Sequence, residues 1–208
     1  MFMLKDEQNY CKIYVVRHGE TEWNAKKITQ GHTNIPLNQA GKVQAGELAK
    51  NLQHINFYKI FSSDLLRAKQ TAKIVALERK IAVETTKLLR ERRYGHFEGK
   101  PAEALKEFDI MRSILSKDEK FRFKPYKDIE SDEEVVTRII RLIREISTSY
   151  IGKTILFVTH GGIMRAFLNH LGMDLSQGSI GNGAYAEILS DGIDIFLQEI
   201  RGIASRDG

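Results

Sequence analysis

The sequence predicts an α/β fold: a three-layer sandwich with a mostly parallel central sheet, helices on both faces and an antiparallel C-terminal hairpin. Three observations carry that expectation. Short β-branched and aromatic runs alternate with stretches of helical apolar spacing. The strongest run, Thr154–Thr159, is nearly all apolar, as a strand covered on both faces requires. The tail holds two strand-like runs around Ser190-Asp191-Gly192, a turn between antiparallel strands.

The elements follow in order. The first strand is read at Lys12–Val16 and ends at Arg17-His18-Gly19. A loop with Gly31 and Pro36 follows, and Asn38 offers a cap oxygen to a helix. Val43, Leu48, Ala49 and Leu52 give that helix its apolar face. Tyr58–Phe61 is a short strand running into Ser62-Ser63-Asp64, and a helix is expected from about Leu65 to Leu77. Ile81–Val83 reads as a third strand, and the charged, glycine-containing stretch Leu88–Gly99 as a loop. Helical patterns resume over Ala102–Leu115 and Glu133–Ile146, separated by a polar stretch at Lys120–Ser131. His160-Gly161-Gly162 ends the buried strand, and a helix runs on to Leu171. The hairpin strands are placed at Tyr185–Leu189 and Ile193–Ile200.

A chain of 208 residues buries about 70% of its unfolded surface as one domain. It needs no disulfide or structural metal to do so. The single cysteine, Cys11, excludes an intramolecular disulfide and a zinc-thiolate cluster. The segment Met1–Tyr10 lacks an apolar core and is not expected to be a signal peptide. No stretch reaches the ~18 apolar residues that span a bilayer. A soluble, cytoplasmic protein is expected. The net charge of +5 suits anionic partners, or is a solvated lysine-rich surface.

In parallel sheets, ligands bind beyond the carboxyl ends of the strands. That rule selects Arg17-His18, Ser62–Arg67 and His160 as polar clusters that should converge. A lone histidine at a strand end is open to three readings: structural, metal ligand or nucleophile. No His-x-His, His-Glu-x-x-His or cysteine pair favours a metal. Two such histidines with Arg17 and Arg67 near them fit a phosphate pocket, because a guanidinium fork matches phosphate oxygens. Gly161 and Gly162 open a helix, whose free N–H groups also favour an anion.

Arg17-His18-Gly19-Glu20-Thr21 resembles the signature of the histidine phosphatase superfamily, with its phosphoglycerate mutase-like fold. The resemblance continues through Ser62–Thr71, Leu89–Gly95 and Val158–Gly161, in the family's order and over nearly the whole chain. It implies one domain over residues 1–208, with a cap or lid insertion around 95–131. It implies His18 as a nucleophile that forms a phosphohistidine, with Arg17, Arg67 and His160 holding the transferring oxygens. Glu91 maps to the proton donor; read from the residues alone, it is a surface ion pair in a charged loop. Facing a phosphate dianion, its carboxyl is expected to titrate high. Thr21, Asn24, Gln30, Gly31 and Gly161 match positions that contact phosphate or substrate, or flank the entrance. Trp23 and Tyr94 are read as packing residues, and His32, His54, His96 and His170 match no signature position.

The chain is most similar to TIGAR-type fructose-2,6-bisphosphatases and α-ribazole phosphatase-like enzymes. Where those carry Pro-Gly-Gly-Glu-Ser, this chain has Lys127-Asp128-Ile129-Glu130-Ser131. Ile28–His32 lacks the Gly-Trp pair usual in mutases. The implied activity is a metal-independent phosphomonoesterase acting on small anionic phosphometabolites of the sugar bisphosphate or phosphoglycerate kind, without a cofactor. The alternatives are a cofactor-dependent phosphoglycerate mutase and a non-catalytic phospho-ligand-binding regulator. The partner expected is a small phosphorylated molecule, with no nucleic acid and no membrane, in a monomer or homodimer. The basic run Lys117–Lys127, with Phe121, Phe123 and Tyr126 interleaved, is read as a lid or a solvated loop ahead of a stacking surface for nucleic acid.

Overall fold

The computed structural model describes residues 7–175 and 178–205. Residues 1–6, and with them most of the N-terminal segment considered above, lie outside the described residues. The chain forms strand β1 (Cys11–Arg17), helices α1 (Glu22–Ala25) and α2 (Gln39–Asn51), strand β2 (Lys59–Ser63), helix α3 (Leu66–Ala76) and strand β3 (Val83–Thr86). Helices α4 (Lys106–Ser113), α5 (Lys117–Arg122) and α6 (Asp132–Ser149), strand β4 (Thr154–Thr159), helix α7 (Gly161–His170) and strands β5 (Gly178–Ser190) and β6 (Ile195–Ser205) complete it.

The six strands lie in the order β3-β2-β4-β1-β5-β6. The pairs among β1 to β4 are parallel, and β5 joins β1 and β6 antiparallel. The central strands are buried on both faces, and the alternation of their side chains splits the core in two. Ile13, Val15, Ile155 and Phe157 point to one layer, built with α6 and α7. Tyr14, Val16, Leu156 and Val158 point to the other, built with α2 and α3. Each such side chain contributes roughly 1.5–3 kcal/mol on burial.

Local sequence sets the helix starts. Asn38 caps α2 by accepting from the Gly41 amide at 2.8 Å, as expected. Ser131 and Glu134 form a reciprocal capping box on α6, whose first turn also carries Asp132 and Glu133. Gly19 and Gly41 allow the loop after β1 to lie against the first turn of α2. A Cβ on Gly19 would sit 2.3 Å from the Gly41 carbonyl oxygen.

Several expectations are corrected. The third strand starts at Val83, after Lys80 at φ 54, so Ile81 and Ala82 belong to the turn. The hairpin strands are longer than expected, β5 by seven residues at its start, because Gly178–Ile180 pairs with Ile203–Ser205 beyond a β-bulge. The polar stretch after Leu115 contains α5, capped by Ser116 and Glu119. Its aromatics are packing groups. Phe121 stacks on His170, Phe123 lies tilted against Phe108, and Tyr126 meets His96 and Phe97 edge to face. Phe97, Phe108 and Ile129 form a third apolar cluster, closed by Tyr94, Leu105, Phe123 and Tyr126.

Among the described residues no helix is long and apolar enough to cross a membrane. Cys11 is buried, which pushes its thiol up to about 12 and keeps it unreactive.

Ile139 sits at the middle of α6 with no exposed surface. Ile139→Ala is expected to cost about 2–5 kcal/mol. A lower denaturant midpoint with an unchanged m-value checks this.

Candidate active site

The parallel register brings the carboxyl ends of β1 and β4 level, with Arg17 opposite Thr159. His18 and His160 are the next residues, and the His18 amide donates to the Thr159 carbonyl at 3.0 Å. Their rings lie 5.0 Å apart, centre to centre, at 64°. Arg67 comes in from the first turn of α3, and all three side chains are buried.

Arg67 shares its Nε–H between His18 Nε2, at 3.2 Å, and His160 Nδ1, at 3.1 Å. A guanidinium only donates, so both of these ring nitrogens accept. The proton of His18 is therefore on Nδ1, which meets the Gly19 carbonyl at 2.6 Å. The proton of His160 is on Nε2, which is buried and has no partner among the described residues. Burial holds the protonation of His18 far below its usual pH, and the charges of Arg67 and Arg17 add to this. His160 is held down in the same way, by burial first and then by Arg67 and His18. Burial also lowers Arg67 itself, to about 10. Its Nη groups donate to the Gly31 and Thr33 carbonyls at 2.8 and 2.9 Å, which fixes the loop before α2 against α3.

Arg17 donates through Nη1 to the Ile180 carbonyl, while its buried Nε has no partner among the described residues. Asn182 reaches back from β5 to the His18 carbonyl at 2.9 Å. Gly19 donates its amide to Thr71 Oγ1, four residues past Arg67 on α3, at 3.1 Å.

Glu91 reaches the same place from the loop after β3. The Thr159 hydroxyl holds that loop through the Leu89 carbonyl at 2.7 Å. His32 Nε2 and an Arg138 Nη both donate to the Glu91 carbonyl, at 2.8 and 3.0 Å. The Glu91 carboxylate accepts from the amides of Arg92, Gly162 and Ile163 at 2.7, 2.9 and 3.0 Å. The start of α7 was expected to face a bound anion; the group its amides meet is the carboxyl of the protein's own Glu91. The next residue, Arg92, is buried and paired with Asp132, which also receives Arg112 from α4.

Arg17, His18, Arg67 and Glu91 line one cavity of about 140 Å³, with Asn24, Gln30 and Gly31 on its wall. Ile28, Thr29, Tyr94 and Leu105 complete it. Tyr94 is thus a wall residue as well as a packing one, and burial raises its hydroxyl to about 12. Thr21 is not on the wall: it is buried and forms a capping box with Asn24. Gly161 and His160 are also off the wall, and a Cβ on Gly161 would lie 3.1 Å from Arg17 Nε. Gln30 Oε1 and Thr29 Oγ1 are buried with no partner among the described residues. Sequence reasoning missed His32, Thr29, Asn182 and Leu105, because nothing in their local pattern marks them; Thr29 and His32 come in on a loop, Leu105 on a short helical turn and Asn182 on β5.

Comparison with known proteins adds to this geometry. The sequence profile of the histidine phosphatase superfamily (branch 1) matches residues 13–191. The chain is 35% identical over 176 residues to phosphoglycerate mutase-like protein 4 of Arabidopsis thaliana, covering 77% of this chain and 71% of that one. It is 34% identical over 174 residues to a broad-specificity phosphatase of Saccharomyces cerevisiae, covering 80% and 72%. A crystal structure of a phosphoglycerate mutase from Bacillus anthracis superposes with a TM-score of 0.78 at 29% identity, covering 93% of each chain. The chain belongs to the histidine phosphatase superfamily.

Proposed function

We propose that this protein is a phosphomonoesterase that hydrolyses small anionic phosphometabolites through a phosphohistidine on His18. The observation that carries this reading is the tautomer of His18. With its proton committed to the Gly19 carbonyl at 2.6 Å, the ring keeps a lone pair on Nε2 beside two arginines. In the first step Nε2 attacks phosphorus in line and the P–O bond to the leaving group breaks. Arg17 Nε and His160 Nε2, buried donors without a partner among the described residues, suit the transferring oxygens. They act on the charge that develops in the transition state. Glu91 gives its proton to the departing alkoxide. In the second step water attacks phosphorus, Glu91 takes its proton, the P–N bond breaks, and phosphate leaves with His18 neutral again.

The segment 95–131 serves as a cap in this reading. Its apolar cluster supplies Tyr94 and Leu105 to the cavity wall. Asn24, Gln30 and Gly31 contact the substrate; Thr21 supports Asn24, and Gly161 supports Arg17. The protein is a cytoplasmic monomer or homodimer. A second reading, a phosphoglycerate mutase, is favoured by the similarity to the Bacillus anthracis structure. Incubation with 3-phosphoglycerate and 2,3-bisphosphoglycerate separates the two: rapid formation of 2-phosphoglycerate identifies a mutase.

Rapid quenching should trap an acid-labile, base-stable phosphoenzyme that is absent from His18→Ala. Full turnover by that variant would rule the mechanism out. Activity should survive EDTA, and a complete loss would point to a metal enzyme.

The two histidines also set a pH dependence. Both are held below 6.5 in the folded state. Below that pH the unfolded chain binds protons that the native site refuses, so stability falls as pH drops through 6.5 toward the native values. Histidine NMR of the free protein should show both rings neutral at pH 6.5, where an ordinary imidazole is half protonated. His160→Ala should lose less stability than the parent over the same descent.

A further inference from the structure

Two glycines open α7, and neither takes a positive φ. Backbone conformation therefore gives no reason for glycine there, and glycine is among the poorest helix formers. Space does give a reason at the second position. A Cβ on Gly162 would lie 2.5 Å from Glu91 Oε1, 3.1 Å from Cδ and 3.3 Å from Oε2. Its nearest neighbours are thus all atoms of one carboxylate. The same residue's amide donates to that carboxylate at 2.9 Å. By contrast, Gly46 in α2 has nothing within 4 Å of where its Cβ would stand.

We propose that Gly162 is a positioning residue for Glu91: its missing side chain leaves the space in which the carboxylate rests on the first turn of α7, on the wall of the cavity that holds His18. The inference rests on the reading of Glu91 as the proton donor. The atom that a methyl group would strike is the far end of a flexible side chain. Glu91 therefore moves aside and the fold stays intact, so the effect falls on proton transfer rather than on stability. The loss depends on the leaving group. An alkoxide needs the proton from Glu91, whereas nitrophenolate leaves without it.

Quench-flow measurement of phosphoenzyme formation tests this, with an alkyl phosphate and nitrophenyl phosphate as substrates. Gly162→Ala should slow the alkyl ester by about tenfold or more and leave the nitrophenyl ester nearly unchanged. Its Tm should not fall, and Gly46→Ala should leave both rates unchanged. In a Glu91→Asp background, adding Gly162→Ala should cost little more, because the shorter side chain withdraws from the methyl group. Equal losses on both substrates, no loss on either, or a variant that fails to fold would each overturn the proposal. Glu91→Gln separates the two levels. If it loses the alkyl ester selectively while Gly162→Ala does not, only the positioning role fails. If Glu91→Gln shows no selectivity, the role of Glu91 as donor falls, and the positioning role falls with it.

Discussion

One N–H of Arg67, shared between His18 Nε2 and His160 Nδ1, is the interaction on which the site depends. It fixes both tautomers, because a guanidinium offers only protons. Burial holds both rings neutral, and the cation placed beside them adds to this. The fold is arranged around this demand. Sheet order β2-β4-β1 sets the ends of β1 and β4 side by side, and α3 follows β2 directly. Arg67 thus comes from a neighbouring strand end, with its other donors on the Gly31 and Thr33 carbonyls.

The loop that carries Glu91 is held by a different set of forces. It has little regular structure, so its backbone must be tied down by side chains from elsewhere. Thr159 of β4, Arg138 of α6 and His32 of the opposite loop do this. Asp132 extends the tie. It pairs with Arg92 beside Glu91 and with Arg112 on α4. Helix α4 and the loop that carries Glu91 thereby share one buried carboxylate at the start of α6. Removing one partner of such a buried group leaves the others uncompensated, which makes the arrangement all-or-none.

Much of this was legible in the sequence, and the reasons for the rest are physical. The central strands, the Asn38 cap and the pair of histidines at strand ends follow from periodicity and local hydrogen-bonding chemistry, which act over a few residues. The shifted third strand, the bulged hairpin and helix α5 depend on pairing and packing with distant partners. The aromatic residues between Lys117 and Lys127 illustrate this. As sequence they are read as a lid or a solvated loop, ahead of a stacking surface. They are packing groups because Phe97, Phe108 and His170 lie against them.

The sequence by itself determined the fold class, the strand ends at which chemistry collects and the identity of the charged groups there. Strand alternation and glycine-punctuated ends are local properties, so they can be read in a line of residues. The tertiary structure alone decided which nitrogen of each histidine carries the proton, and which acceptor occupies the amides at the start of α7. Both depend on the direction of single hydrogen bonds between residues far apart in the chain. Spacing along the sequence holds no record of that direction.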